Sequence, residues 1–284
     1  MIRFLSLESN IVLMTAGWYL TGSYKGMPGA GTQREQDMST DMFTGHADAY
    51  TVGRPDYSGE LIDYLYDRCG ISTSSVIADI GSGTGKFSKH LLDRGSVVFS
   101  VEPNDDMRLM AEKELGGYPN FNSVKGDAGD TCLEAGSVDF VTTAQAFHWF
   151  DVNSFRKECT RILKHAGKVI LIWNIRDEAD PINRELFNVY SEYCPDFKGF
   201  GGGIVKDDKR IKDFYAGSYE YISFDHPLSL DRDMFIARSL SASYSIKEDD
   251  GMFKDYLEAV TDLFDRYSDK GIITLGNRSV AYIG

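Results

Sequence analysis

The chain has 284 residues, of which 42% are hydrophobic and 26% are charged. This is an ordinary globular composition, which excludes a wholly disordered chain or a coiled coil, and the length suits one large domain or one domain with a cap. The formal net charge of −13 gives no electrostatic footprint for a nucleic-acid backbone, so we expect no nucleic-acid partner.

We interpret residues 1–37 as an N-terminal extension to which we assign no role. Its apolar run at 11–20 is too short to span a bilayer, so we expect no membrane association. A polar, glycine-rich stretch at 26–37 follows and is typical of a linker. We expect the domain proper to cover residues 38–284.

The four cysteines predict neither a disulfide framework nor a metal site. None of them forms a Cys-x-x-Cys, and none lies near a histidine at metal-ligand spacing. This usage is typical of a reducing compartment, so we expect a cytoplasmic protein. The cysteines are Cys69, Cys132, Cys159 and Cys194.

From residue 59 onward, strands are predicted to alternate with helices. Apolar runs predict strands at 76–80, 97–102, 121–125, 138–143 and 168–174. Helical spacing predicts helices at 59–69, 84–94, 104–115 and 153–163, and Asn104 is the expected N-cap of the third. This alternation indicates βαβ units and a parallel sheet with both faces covered.

The last third of the chain breaks that alternation. Helices are predicted at 180–193, 231–241 and 253–267, a loop at 195–210, and strands at 219–225 and 271–283. Because the last strand has little crossover helix of its own, we expect it to be antiparallel at one end of the sheet. The predicted fold is α/β, a doubly wound, mostly parallel, seven-stranded sheet with a helical cap inserted at about 186–255.

A glycine-rich turn after the first predicted strand carries the strongest functional signal. Asp79 precedes Gly81, Gly83 and Gly85, and the absence of a Cβ at alternate positions lets a ligand approach the backbone at a helix N-terminus. Glu102 ends the next strand, where nucleotide-binding βαβ units place the acid that binds ribose hydroxyls. The bland alternative is a strand–turn–helix with incidental glycines.

The spacing and the charge of this turn favour one nucleotide over another. The pattern is Gly-x-Gly-x-Gly, because Lys86 stands where a dinucleotide-binding turn has its third glycine. Asp79 would repel a pyrophosphate, whereas it suits S-adenosylmethionine, which carries a sulfonium and an ammonium. A nicotinamide-dependent oxidoreductase is therefore the weaker reading.

Over residues 43–176 the chain resembles the class I S-adenosylmethionine-dependent methyltransferases, whose fold is Rossmann-like. It looks closest to the small-molecule group of trans-aconitate methyltransferases and their type 11 relatives. The resemblance rests on residues 46–55, 79–85, 101–107, 126–128, 145–151 and 173–177. The family's Lys-Pro-Gly-Gly turn before the fifth strand is replaced by Lys-His-Ala-Gly at 164–167.

The resemblance implies a role for each cofactor residue. Gly81, Gly83 and Gly85 would lie under the methionine part of the cofactor, with Asp79 near its ammonium. Glu102 would accept hydrogen bonds from both ribose hydroxyls.

Four further residues would complete the cofactor site. Met107 would pack against the adenine, although plain core packing is the alternative. Asp127 and the Ala128 backbone would meet the adenine amino edge, although Asp127 could be a turn residue. Gln145 would line the methionine tail, although it could be a satisfied buried amide.

The acceptor site is expected at the carboxyl ends of the strands, beside the cofactor. His148 is either a general base or a structural histidine. Arginines there would bind an acidic acceptor or form surface ion pairs, and tryptophans would line the pocket or only the core. Besides His148 the candidates are Tyr50, Arg54, Trp149, Trp173 and Arg176.

Two functional hypotheses follow. The first is an enzyme, a monomer or homodimer, that methylates a small molecule, at the oxygen of a carboxylic acid, by in-line displacement; a carboxylate acceptor needs no general base. The second is a non-catalytic module on the same fold that binds the cofactor or a partner.

Overall fold

The computed structural model describes residues 55–200, 208–242 and 244–284. The predicted extension at 1–37 and the candidates Tyr50 and Arg54 lie outside the described residues.

The first part of the described chain alternates as predicted. Its helices are α1 (Gly59–Asp67), α2 (Lys86–Asp93), α3 (Asp105–Leu115) and α4 (Val152–Ile162), with a single 3₁₀ turn at Phe147–Trp149 before α4. Its strands are β1 (Val76–Ile80), β2 (Val97–Val101), β3 (Phe121–Val124), β4 (Val138–Ala144) and β5 (Leu163–Arg176). The Asn104 side chain accepts a hydrogen bond from the Met107 amide, which confirms the predicted cap of α3.

The second part adds four helices and four strands among the described residues. The helices are α5 (Pro181–Tyr193), α6 (Lys209–Phe214), α7 (Arg232–Leu240) and α8 (Phe253–Tyr267). The strands are β6 (Glu220–Asp225), β7 (Leu228–Leu230), β8 (Ile273–Leu275) and β9 (Asn277–Ile283).

Seven strands form one sheet in the order β3-β2-β1-β4-β5-β9-β6. The strands from β1 to β5 pair in parallel, and β9 is antiparallel to both β5 and β6. The predicted α/β fold and its antiparallel strand are therefore confirmed. The expected position of that strand needs a correction, since β9 lies between β5 and β6 and the edge is β6.

Three local expectations were also wrong. The strand predicted at 271–283 divides at Gly276 into β8 and β9, and β8 pairs with β7 in a separate two-stranded sheet. The fifth strand begins at Leu163 and not at 168, although Ala166 has a positive φ of 66° within it. Helix α6 begins at the end of the segment predicted to be a loop.

Buried side chains form two layers on the main sheet and a third cluster beside it. The layer that includes Phe147, Phe155 and Trp173 lies under α4 and α6, and the opposite layer lies under α1 and α2. The third cluster joins α5, α7, α8 and the β7–β8 pair. Within the predicted cap at 186–255, however, α6 packs on the main sheet and β6 is one of its strands. The boundary of the cap therefore stays a prediction.

No helix in the ranges described has both the length and the apolar character needed to cross a bilayer.

Candidate cofactor and acceptor site

The glycine turn between β1 and α2 takes a backbone conformation that side chains disfavour. Gly81, Gly83 and Gly85 have φ values of +68°, +57° and +79°, in the left-handed region where glycine has no steric penalty. Successive left-handed glycines let the chain leave the strand and enter the helix within a few residues. The conformation itself thus favours glycine at all three positions.

The three glycines differ in what lies beside them. A Cβ at Gly81 would lie 2.7 Å from Ala146 Cβ, and one at Gly85 would lie 2.5 Å from Leu115 Cδ1. At Gly83 the nearest atom would be Met107 Sδ, at 3.7 Å. Gly81 and Gly85 therefore allow close packing within the protein, whereas a Cβ at Gly83 would make only ordinary contact with Met107.

Glu102 faces the glycine turn. Its Oε2 accepts a hydrogen bond from the Gly83 amide at 2.8 Å, and its Oε1 accepts one from the Asn104 amide at 2.9 Å. Only 6% of the residue is exposed, and this burial raises the pKa of Glu102 while the two amides oppose the rise. The carboxylate is thus fixed in the crevice by groups that favour its charge.

Asp79 lies below the turn and is fully buried. Its Oδ2 accepts a hydrogen bond from Ser88 Oγ at 2.6 Å, and its Oδ1 accepts one from Thr142 Oγ1 at 2.9 Å. Burial raises the pKa of Asp79 to about 6, and the two hydroxyls limit the rise. Since both oxygens are engaged inside the protein, the geometry favours support of the turn over direct contact with an ammonium group.

The remaining cofactor candidates differ in their surroundings. Met107 is buried at the start of α3, beside Gly83. Exposed Asp127 closes its own turn, since its Oδ1 accepts hydrogen bonds from the amides of Gly129 and Asp130, and Ala128 is buried in the core.

Gln145 has an unusual backbone at the end of β4. Its φ is +60°, which is strained for a residue with a side chain and often accompanies function. The Gln145 amide donates to the Ile172 carbonyl, and its Nε2 donates to the Asn174 carbonyl at 3.1 Å. These bonds turn the side chain from β4 toward the carboxyl end of β5.

The aromatic candidates separate into surface and core. His148 and Trp149 lie in the 3₁₀ turn with their rings 4.9 Å apart, and Trp149 is 42% exposed. Trp173 is 3% exposed and packs edge-on against Phe147 and Tyr282. Contact with an acceptor is therefore open to Trp149, whereas Trp173 is a core residue and a poor candidate.

Arg176 ends β5 beneath the cap. Its guanidinium carbon lies 4.1 Å from the centre of the Phe200 ring and 6.0 Å from that of Tyr190, which are cation–π distances. Its Nη1 is buried and makes no hydrogen bond among the residues described. Arg176 therefore stacks on aromatic rings with one unbonded donor, and it forms no ion pair with the other described residues.

Several polar residues around these candidates were not predicted from the sequence. Ser88 and Thr142 hold Asp79, and Asn174 joins Gln145 to the next strand. Asn277 on β9 stands beside Arg176. The available signal was a polar residue at an inward position of an otherwise apolar strand or helix.

Comparison with known proteins also indicates a methyltransferase. Residues 78–171 match the family model described as a methyltransferase domain, Methyltransf_11. An uncharacterized methyltransferase-like protein of Schizosaccharomyces pombe is 33% identical over 152 residues, which are 53% of this chain and 58% of that protein. An uncharacterized methyltransferase of Mycobacterium bovis is 36% identical over 155 residues, which are 55% of this chain and 60% of that protein.

Solved structures share the fold. A putative methyltransferase from an antibiotic biosynthesis pathway of Anabaena variabilis has a TM-score of 0.56 at 20% identity, over 81% of this chain and 98% of the other. A putative type II methyltransferase of Anaeromyxobacter dehalogenans has a TM-score of 0.55 at 17% identity, over 81% and 96%.

These matches support a methyltransferase of the class I, S-adenosylmethionine-dependent type. The chain spans less than two thirds of the curated relatives that it matches, and the likeness to the trans-aconitate group stays a prediction.

Proposed function

We propose that this chain transfers a methyl group from S-adenosylmethionine to a small-molecule acceptor, at a carboxylate oxygen, by in-line displacement. The observation that carries the proposal is the buried Glu102 carboxylate, held 2.8 Å from the Gly83 amide beside the glycine turn. A carboxylate fixed there suits the two hydroxyls of a ribose, and no pyrophosphate site needs it.

The crevice suits this cofactor on two further observations. Met107 Sδ lies beside Gly83, 3.7 Å from the position that a Cβ would take there, and it offers an apolar, polarizable surface to a purine. Ser82 Oγ is buried in the turn without a hydrogen-bond partner among the described residues, so a polar ligand would satisfy it. When bound, S-adenosylmethionine supplies an electrophilic methyl group on a positively charged sulfur.

The protein's own residues then have distinct tasks. Glu102 holds the ribose, and Met107 packs on the adenine. Asp79 supports the turn through Ser88 and contributes negative charge below it, since a pKa of about 6 leaves it largely ionised at neutral pH. Gln145 lies between the crevice and β5, where it orients the groups that meet there.

Arg176 supports the choice of an acidic acceptor. A half-buried guanidinium with an unsatisfied Nη1 gains most from a carboxylate, because charge-assisted hydrogen bonds are the strong ones. A carboxylate acceptor carries no proton to remove, so His148 would orient the acceptor and not act as a base. Removal of bulk water and alignment of the reacting atoms would then supply most of the acceleration.

The first test measures binding and transfer separately. Calorimetry with S-adenosylhomocysteine should show binding by the folded protein. Incubation with labelled S-adenosylmethionine and a cell metabolite extract, followed by mass spectrometry, should reveal one acidic metabolite that gains the mass of a CH₂ group.

The Glu102→Ala variant is the negative control for both measurements. A folded protein that does not bind S-adenosylhomocysteine would refute the proposal. Binding without transfer to any metabolite would favour the non-catalytic module, and transfer only to a hydroxyl or amine would revive His148 as a general base.

We also propose the class of acceptor, the compartment and the oligomeric state. The acidic charge disfavours nucleic acid as an acceptor, the cysteine usage favours the cytoplasm, and we propose a monomer or homodimer.

A further inference from the structure

Two polar cross-strand pairs stand side by side on one face of β5 and β9. Asn174 is the register partner of Ser279, and Arg176 is the register partner of Asn277. Because side chains two residues apart in a strand share a face, both pairs belong to the face whose deeper layer contains Ile172. Polar pairs at such positions are costly unless their groups are bonded.

The inner pair is fully bonded within the protein. Ser279 Oγ donates to Asn174 Oδ1 at 2.5 Å and accepts a hydrogen bond from the Ser58 amide at 2.9 Å. Asn174 Nδ2 donates to the Asp56 carbonyl at 2.9 Å. The Asn174–Ser279 pair therefore joins β5 and β9 to the segment that leads into α1.

The outer pair is not bonded in this way. Arg176 Nη1 and Asn277 Nδ2 are both buried without a hydrogen-bond partner in the part of the chain that the structure describes. Asn277 is only 4% exposed, and an unsatisfied buried donor costs roughly 1–3 kcal/mol. Two donors on neighbouring strands thus lack an acceptor at the same place.

The surroundings of Arg176 and Asn277 indicate which chemical group would accept hydrogen bonds from these two donors. Arg176 has no carboxylate within ion-pair distance among the described residues, so its charge is uncompensated there. Phe200 and Tyr190 flank its guanidinium, and the Tyr244 ring lies 5.2 Å from that of Tyr190. A positive charge and a second unbonded donor on register-paired residues suit a carboxylate, whereas the Tyr190 ring is buried in the core.

We propose that Arg176 and Asn277 together bind one carboxylate of the methyl acceptor, which makes Asn277 a specificity-determining residue. The inference rests on the proposed function and narrows its acceptor class. Arg176 supplies the charge, and Asn277 supplies a neutral donor that a carboxylate satisfies and an amide group satisfies less well.

The test uses fluorine NMR titration with para-fluorobenzoate and its neutral counterpart para-fluorobenzamide, at fixed pH and ionic strength. The wild type should bind the benzoate more tightly than the benzamide. Asn277→Asp should weaken benzoate binding at least about tenfold, because a hydrogen bond to a charged group is lost and a like charge is added. Arg176→Gln should abolish the preference for the benzoate.

Two controls keep the result interpretable. Asn122→Leu changes an asparagine on the distant edge strand β3 and should leave both titrations unchanged. Asn277→Leu removes the donor without adding charge, and near-ultraviolet circular dichroism checks that each variant is folded. Folded Asn277 variants with wild-type benzoate binding would overturn the inference, as would a wild type that does not prefer the benzoate.

Calorimetry with S-adenosylhomocysteine separates the two proposals. Normal cofactor binding by Asn277→Asp, together with weakened benzoate binding, supports the inference. A wild type that binds S-adenosylhomocysteine normally but does not prefer the benzoate contradicts the inference and leaves the proposed function standing. A wild type that binds benzoate but not S-adenosylhomocysteine refutes the proposed function.

Discussion

At the carboxyl ends of β1 and β2, the buried acids are bonded within the protein, whereas at the ends of β5 and β9 the buried donors are not. Glu102 and Asp79 each accept two hydrogen bonds from neighbouring protein groups. Arg176 and Asn277 each keep a buried nitrogen without one. The two acids near the glycine turn are thus oriented before any ligand arrives, while Arg176 and Asn277 each have a donor without an acceptor among the described residues.

We expect the two regions to respond differently to substitution. A crevice whose acids are already oriented binds the same cofactor with little reorganisation. Donors left unsatisfied by the protein make binding depend on what the acceptor offers. Changes on the cofactor side should therefore affect binding of S-adenosylhomocysteine most, and changes on the acceptor side should affect selectivity.

The largest expected effect comes from Glu102→Ala. It removes the proposed ribose ligand and leaves the amides of Gly83 and Asn104 without their acceptor, so the affinity for S-adenosylhomocysteine should fall at least about 100-fold by calorimetry. The control is Glu114→Ala on the exposed side of α3. A fall of less than about tenfold would contradict the ribose role.

The next effect concerns the two kinds of glycine. Gly85→Ala should lower the free energy of unfolding by about 3 kcal/mol, because its Cβ meets Leu115 in a left-handed backbone. Gly136→Ala has the same backbone strain with no atom within 4 Å and should cost about 1 kcal/mol in urea denaturation.

Gly83→Ala should resemble the Gly136 variant in stability and yet lose affinity for S-adenosylhomocysteine. Equal costs for Gly85→Ala and Gly136→Ala would show that Gly85 is not a packing position. An unchanged affinity for S-adenosylhomocysteine in Gly83→Ala would show that the cofactor does not lie against Gly83.

Asp79 gives a pH-dependent effect of intermediate size. Its pKa of about 6 lies above the ordinary value of 3.8, so its contribution to stability is present below pH 3.8 and is lost as the pH rises through 6. The asparagine of Asp79→Asn does not titrate. The free energy of unfolding of this variant, measured relative to the wild type, should therefore rise by on the order of 2 kcal/mol from pH 4 to pH 7.

The measurement is urea denaturation of both proteins across that pH range. Ser88→Ala should move the wild-type loss to higher pH, since the Ser88 hydroxyl lowers the pKa of Asp79. A difference between wild type and Asp79→Asn that does not change with pH would show that Asp79 titrates normally.

The smallest expected effect is that of Trp149→Ala on stability. A side chain that is 42% exposed should change the free energy of unfolding by less than about 0.5 kcal/mol, while the KM for the acceptor rises and the affinity for S-adenosylhomocysteine stays constant. Leu109→Ala, also exposed, should change none of the three. An unchanged KM in Trp149→Ala would remove it from the acceptor site.

The sequence predicted the parts of the fold that depend on local pattern. The strands β1 to β4, the cap of α3 and the turn from Asp79 to Gly85 follow from apolar runs, a capping residue and glycines at fixed spacing. The order of the sheet beyond β5 was not predictable in the same way, because β9 pairs on both sides with strands distant in sequence.

The candidate site divides similarly. Glu102 could be placed at the turn because both follow neighbouring parallel strands. The partners of Asp79 could not, since Ser88 and Thr142 reach it from a helix and another strand. Nor does the sequence tell Trp149 from Trp173, because burial of a tryptophan depends on tertiary packing.

The position of β9 between β5 and β6 has a consequence during synthesis. On the ribosome, β6 leaves the exit tunnel before β9, the strand that pairs with it in the sheet. Until β9 has been made, β6 has no partner and β5 presents an open edge, which is an aggregation hazard for a nascent chain. Pairing of β6 with the main sheet should therefore wait until β9 has been made and should be sensitive to chaperones.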